Sequence, residues 1–295
     1  MSNETYINNT SPGVAHTLLF MLRKEHSAED LGLAGSCLKS LQKSAYKNVV
    51  VYNQGFYTNS ELQDYLSQYD LNWFIIGDAS NVGIVRGRQR CFEYIWETMP
   101  EMGYISELHL DMLFSQDWEL PLVELLQTTR EPVMSCGFIN KYGILAHLNK
   151  RLVEMPQNLE QMEQTLAQVR FDGIVTGFGH PCIHKAEILK AMGGYDTNFM
   201  TAKHFCEDDS LLLSYYYYLG TQLKWMPKMT YKSVVYHACE GQRLTVDVDG
   251  YENFNGIVKQ YGAMGMKHLY EIHNGKKKFF LDKYNEMIAE ANIHN

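Results

Sequence analysis

The stretch YISELHLDMLFSQDW, residues 104–118, runs from an apolar segment directly into His109-Leu110-Asp111 and leaves through a second apolar patch to Trp118. A buried strand that ends in a triplet of acceptor groups presents those groups at a sheet edge, where α/β proteins collect ligands. Its neighbours decide whether it is such a strand. Upstream, HTLLFMLRKE (16–25), KNVVVYN (47–53) and NWFIIGD (72–78) read as strands. Between them lie an amphipathic helix, AEDLGLAGSCLKSLQ (28–42), with Leu31, Leu38 and Leu41 inward, and a helix NSELQDYLSQY (59–69) capped by Asn59 or Ser60. The turn ASNVG (79–83) and a basic helix IVRGRQRCFEYIWETM (84–99) follow, which makes YISELHL (104–110) a fourth strand. Strands alternating with helices predict a mixed, mostly parallel α/β sheet flanked by helices, with ligands at the strands' carboxyl ends. His109 and Asp111 fall at such an end.

A chain of 295 residues with 45% hydrophobic content can bury one large core. Acidic side chains outnumber basic ones 34 to 26, giving a net charge of −8, and no long basic run occurs. Nucleic-acid binding or docking on an anionic membrane through charge is therefore not expected. Cys37, Cys91, Cys136, Cys182, Cys206 and Cys239 form no CxxC pair, so they read as reduced thiols and not as a disulfide framework or a tetrathiolate zinc site. The opening MSNETYINNTSPG lacks a basic-then-apolar pattern, and no apolar run approaches the ~20 residues that span a bilayer. These features predict a soluble, cytoplasmic protein. No linker divides the chain, so the expectation is one domain over residues 17–245, behind a polar leader (1–16) and ahead of a helical extension (246–295).

The second half is less regular. Residues 151–169 read as a polar helical excursion, DGIVTGFGHPCIH (172–184) as strand and turn, and KAEILKAMGG (185–194) as a helix with a glycine stop. An acidic turn FCEDDS (205–210), a helix LLLSYYYYLG (211–220), a last strand KSVVYH (232–237) and two C-terminal helices complete the chain. Three acceptor-rich spots each end an apolar element: His109-Leu110-Asp111, Glu207-Asp208-Asp209 and His237. Oxygen donors with an imidazole suit a divalent cation, Mn²⁺ or Mg²⁺, with Mn²⁺ favoured where nitrogen takes part.

Each spot alone has a plainer reading. The His-x-Asp triplet also fits a hydrogen-bonded strand end, and the three acids also fit the favourable N-terminus of a helix. His180, Cys182 and His184 would share a strand face as zinc ligands, but a fourth ligand is not evident. Arg86 and Arg90 lie on one side of their helix and Arg88 nearly opposite.

Taken in order, four motifs resemble the family 2 glycosyltransferases of the GT-A fold. NVGIVRGRQRC resembles that family's Asn-x-Gly-x-x-x-x-Arg stretch, LHLDMLFSQDW its Asp-x-Asp strand end with a following Trp, MGGYDTNFMTAKHFCEDDSLLLSYYYYLG its Gly-Gly-Phe-Asp and Glu-Asp segment, and VVYHACEGQR its last core strand with a His. The match runs from Thr17 to Arg243, with a nucleotide-binding half over 17–115 and an acceptor half over 116–245.

The resemblance implies an inverting, metal-dependent transfer of a sugar from a nucleoside-diphosphate donor, UDP favoured, to a hydroxyl on a protein or glycan. It implies Asp111 and His237 as metal ligands, Asp208 as general base with Glu207 beside it, and Asn81, Gly83 and Arg88 near the donor nucleotide. His109 replaces the first acid of Asp-x-Asp and is placed with the donor. The first strand ends in LRKEHS where Pro-x-Tyr-Asn is familiar, and VVYNQG lacks the usual acid, so Arg23, Glu25 and Asn53 are assigned to the base pocket from their strand ends. The competing readings are a nucleotidyltransferase of related fold and a non-catalytic nucleotide-sugar-binding module.

Overall fold

The computed structural model describes residues 12–148, 150–151, 159–238 and 250–293. Its first half alternates β1 (Val14–Phe20), α1 (Ser27–Leu41), β2 (Asn48–Asn53), α2 (Asn59–Leu66), β3 (Asn72–Ile76), α3 (Ile84–Thr98) and β4 (Tyr104–Leu108). There follow β5 (Met112–Leu113), α4 (Leu120–Thr128), β6 (Val133–Ile139), β7 (Ile144–Leu145), β8 (Lys150–Arg151), α5 (Leu159–Gln168), β9 (Ile174–Thr176) and β10 (Cys182–Lys185). Then come α6 (Ala186–Ala191), α7 (Glu207–Leu219), β11 (Lys228–His237), α8 (Gly250–Ile272) and α9 (Lys278–Ile293).

The main sheet runs in the order β3-β2-β1-β4-β10-β6-β11-β5. Its first four strands are parallel, β10 is antiparallel to both β4 and β6, and β6 and β11 are again parallel. The expected mixed α/β sheet is therefore present. Strands such as VAHTLLF are buried on both faces because helices cover both. Leu18, Leu38, Leu41, Phe114 and Trp118 pack into one core layer, and Phe92, Ile105, Leu212 and Tyr215 into another.

Several local boundaries differ from the sequence reading. The first strand stops at Phe20, and Lys24–His26 form a single 3-10 turn. Thr58, not Asn59 or Ser60, caps α2: its hydroxyl accepts from Glu61 N while the Glu61 carboxylate accepts from Thr58 N, a reciprocal pair that satisfies two end groups. Thr58→Ala is expected to cost about 1 kcal/mol. A urea-unfolding midpoint equal to that of the parent chain would exclude any such contribution. The acids at 207–209 are not a turn; they are the first turn of α7. Strand β6 lies at the centre of the sheet although the sequence reading assigned nothing to PVMSCGFI. Residues 152–158 of the expected polar excursion, and 239–249 after the last strand, lie outside the described residues.

Candidate active site

Chain pairing builds the first cluster. After β4 the chain turns through His109–Asp111 into β5, which pairs antiparallel with the end of β11, Leu113 opposite Tyr236 and Met112 opposite His237. Ala238 N donates to the Asp111 carbonyl at 3.0 Å, extending that register by one bond. His237 thereby reaches Asp111, with Nε2 3.3 Å from Oδ1. The His109 ring lies 5.2 Å from that of His237 at 75°. Donor atoms of His109, Asp111 and His237 all fall within 4.8 Å of one another, and all three residues are partly exposed. Two imidazoles and one carboxylate fit a cation that takes nitrogen and oxygen together, which favours Mn²⁺ over Mg²⁺. His109 thus stands with Asp111 and His237, the two residues assigned to metal.

The second cluster is the start of α7. Phe205 and Cys206 adopt φ of 89° and 60°, uncommon for residues with a Cβ, and turn the chain sharply into Glu207. Fully buried Asn253 of α8 holds this turn: its Nδ2 donates to the carbonyls of Phe205 (2.9 Å) and His204 (3.3 Å), and its Oδ1 accepts from Ala202 N (2.8 Å). The three acids then diverge. Glu207 is paired with His204 at 3.1 Å. Asp209 accepts from His273 (2.6 Å) and Lys277 (2.8 Å); burial opposes its charge, but these cations outweigh burial and hold its pKa below the ordinary value.

Asp208 Oδ1 is buried and has no hydrogen-bond partner among the described residues. Burial, and then the charges of Glu207, Asp209 and Glu107, push its pKa up, against the lowering effect of His180. A carboxylate with a raised pKa accepts a proton more readily.

Beneath both clusters lies a network that the sequence reading missed. Glu107, fully buried in β4, accepts from His184 Nε2 (2.9 Å) and Tyr195 OH (3.0 Å) and sits 3.3 Å from Arg88 Nε. A charged residue inside the apolar run YISEL was the available signal. Arg88 also donates to Thr17 O (2.7 Å), to Thr17 Oγ1 (2.9 Å) and to Leu108 O, which ties β1 to the last residue of β4 immediately before His109. Arg88 is therefore an interior brace and not a surface contact to a nucleotide. His180 and Cys182 also approach Glu107, but the Arg88 guanidinium already supplies positive charge there, which disfavours a second cation.

The remaining site residues have these places. Asn53 is buried and occupied by its own turn, bonded to Tyr57 O, Asn59 and Gly55 N. Arg23 is clamped to buried Asp30, and Glu25 is exposed in the 3-10 turn. Asn81 accepts from Gly83 N (3.0 Å), and Gly83, at φ 85°, packs so closely on Lys203 that a Cβ would sit 2.7 Å from its Cα. This contact links the 81–83 turn to the segment leading into α7. Arg86 and Arg90 open on a groove of about 790 Å³ lined by Tyr52, Asp78 and Gln89, to which neither candidate cluster contributes a residue. Trp118 is fully buried and donates to Ser44 (3.0 Å), so its role is packing.

The mixed, mostly parallel sheet flanked by helices has a GT-A-like fold. Solved structures share this fold. TarS of S. aureus, residues 1–349 in complex with UDP-GlcNAc, superposes with a TM-score of 0.52 at 15% identity over 88% of this chain and 71% of that one. The mannosyltransferase PcManGT from Pyrobaculum calidifontis, in complex with GDP-Man and Mn²⁺, gives 0.52 at 12% identity over 97% and 77%. GalNAc-T7 with UDP, GalNAc and Mn²⁺ gives 0.52 at 13% over 78% of this chain and 44% of that one. No family model matches the sequence. No curated protein matches it either. Among the described residues no helix is long and apolar enough to cross a membrane.

Proposed function

We propose that the protein transfers a sugar from a nucleoside-diphosphate donor to an acceptor hydroxyl with inversion at the anomeric carbon. The observation that carries this reading is the meeting of His109, Asp111 and His237, brought together from two distant strand ends, on a GT-A frame. Complexes of TarS with UDP-GlcNAc and of PcManGT with GDP-Man and Mn²⁺ support a nucleotide-sugar donor for this fold. A Mn²⁺ or Mg²⁺ ion held by His109, Asp111 and His237 would supply Lewis-acid neutralisation of the departing diphosphate. Asp208 takes the proton of the acceptor hydroxyl as its oxygen bonds to the anomeric carbon and the bond to phosphate breaks. A single displacement of this kind inverts the centre. The acceptor is a hydroxyl of a protein side chain or a glycan.

The test is release of nucleoside diphosphate from UDP-, GDP- and dTDP-sugars in the presence of Mn²⁺, alongside calorimetry with UDP. Turnover separates a transferase from a binding module. Asp111→Asn is expected to weaken Mn²⁺-dependent UDP binding by roughly 100-fold or more, since losing even an outer-shell partner costs about 10–100-fold. Undiminished affinity in a folded Asp111→Asn variant refutes the metal assignment.

A further inference from the structure

His180 is placed where the two clusters meet. Its ring stacks on His109, centroids 4.6 Å apart at 30°, and Phe178 meets it edge-on at 5.5 Å, so the ring plane is set from both sides. The side chain is 8% exposed. Its Nε2 lies 3.9 Å from Asp208 Oδ1 and 3.8 Å from Glu107 Oε2, just beyond hydrogen-bond reach of either. Both Nε2 and Asp208 Oδ1 are buried and have no hydrogen-bond partner among the described residues. Buried polar atoms are rarely left so. An approach of about 1 Å turns the pair into a direct bond. Glu107 is already held by His184, Tyr195 and Arg88, so it is Asp208, at the head of α7, that has an unfilled acceptor.

We infer that His180 is a positioning residue: on acceptor binding its Nε2–H donates to Asp208 Oδ1 and aims the other carboxylate oxygen at the attacking hydroxyl, while its stack on His109 keeps that base in register with the donor cluster. This rests on the reading of the site as one for glycosyl transfer. A carboxylate held by one oxygen loses a rotational freedom that otherwise carries it away from the reacting atoms.

A double-mutant cycle isolates the contact. His180→Phe keeps the stacking ring without the donor and is expected to lower kcat for UDP-sugar turnover about 100-fold, with the donor KM and UDP·Mn²⁺ affinity within about twofold. His180→Gln, which restores an N–H near the Nε2 position, is expected to recover about tenfold of that loss. In an Asp208→Asn background His180→Gln is expected to change the residual rate less than about twofold. Additive losses overturn the inference, as does a parallel loss of UDP·Mn²⁺ binding, which would make His180 a mere support of the donor cluster. If His180→Phe fails to fold by circular dichroism, the His180→Gln cycle decides alone.

A second readout is independent of turnover. In the imidazole ¹H–¹⁵N spectrum of the metal-free protein, Asp208→Asn is expected to move the His180 resonances and leave those of His237 in place. A static His180 signal overturns the inference. Absence of donor turnover in the parent chain, with the His180 signal still responding, overturns the transferase reading and leaves the contact standing.

Discussion

Asp208→Asn is expected to lower sugar transfer by about 10²–10⁴-fold, the usual contribution of a positioned general base, and to leave UDP·Mn²⁺ affinity within about twofold. Of the three acids that open α7, Glu207 is engaged by His204 and Asp209 by His273 and Lys277, while Asp208 faces His180, whose ring stacks on His109 of the donor cluster. Because burial and the neighbouring carboxylates raise the Asp208 pKa above its ordinary 3.8, the base is protonated, and transfer suppressed, up to a higher pH than an ordinary Asp would give. The acid limb of the kcat profile is therefore expected above the normal carboxylate range, and it should vanish in Asp208→Asn. Glu207→Gln, which removes an acid from a different pairing, is expected to have the smaller effect. Loss of nucleotide affinity in Asp208→Asn, with chemistry intact, would move Asp208 to the donor side and end its assignment as base.

How far the sequence reached is clear from particular residues. The strand and helix order through Leu108 is legible because long apolar runs alternate with 3.6-period segments, each bounded by turn chemistry. Strand β6 is not legible in the same way: Ser135, Cys136 and Gly137 interrupt its apolar character, and a Cβ at Gly137 would meet the Tyr231 ring at 2.4 Å, a constraint only the folded sheet reveals. Within the candidate site, His109, Asp111, Asp208 and His237 are visible as polar endings of apolar elements. The meeting of Asp111 with His237 was expected only from the family resemblance, because it depends on two residues of β5 pairing with the end of β11 across more than a hundred positions of chain.

The helix-face argument that sets Arg88 opposite Arg86 and Arg90 describes its direction correctly. What lies in that direction is the sheet interior, because a buried acid waits there on β4. The role of Glu107 was missed for the complementary reason: an acid inside an apolar strand is a signal, but it reads as solvent-facing until an interior cation is known. The C-terminal extension also organises the head of α7, through Asn253 of α8 and through His273 and Lys277 between α8 and α9.

The largest stability effect is expected at that brace. The side chains of Arg88 and Glu107 are 2% and 0% exposed, so Arg88→Ala leaves a buried carboxylate without its cation and frees the Thr17 and Leu108 carbonyls together. Breaking one side of such a pair costs about 3–5 kcal/mol. Arg88→Lys is expected to fall between the two, since an ammonium cannot serve Glu107, Thr17 and Leu108 from one planar fork.

Acid acts on the same network. Burial opposes the Glu107 charge, but the imidazoles of His180 and His184 outweigh it and hold the pKa well below the ordinary 4.5. A depressed carboxylate stabilises the fold fully above its unfolded pKa and ceases to do so as pH falls through its folded one. The parent chain should therefore keep this contribution above about pH 4.5 and lose it progressively in stronger acid. Urea-unfolding midpoints of the two Arg88 variants at neutral pH test the brace directly. An Arg88→Ala midpoint equal to the parent's would mean that the end of β4, and with it the placement of His109 and Asp111, is held by something other than this pair.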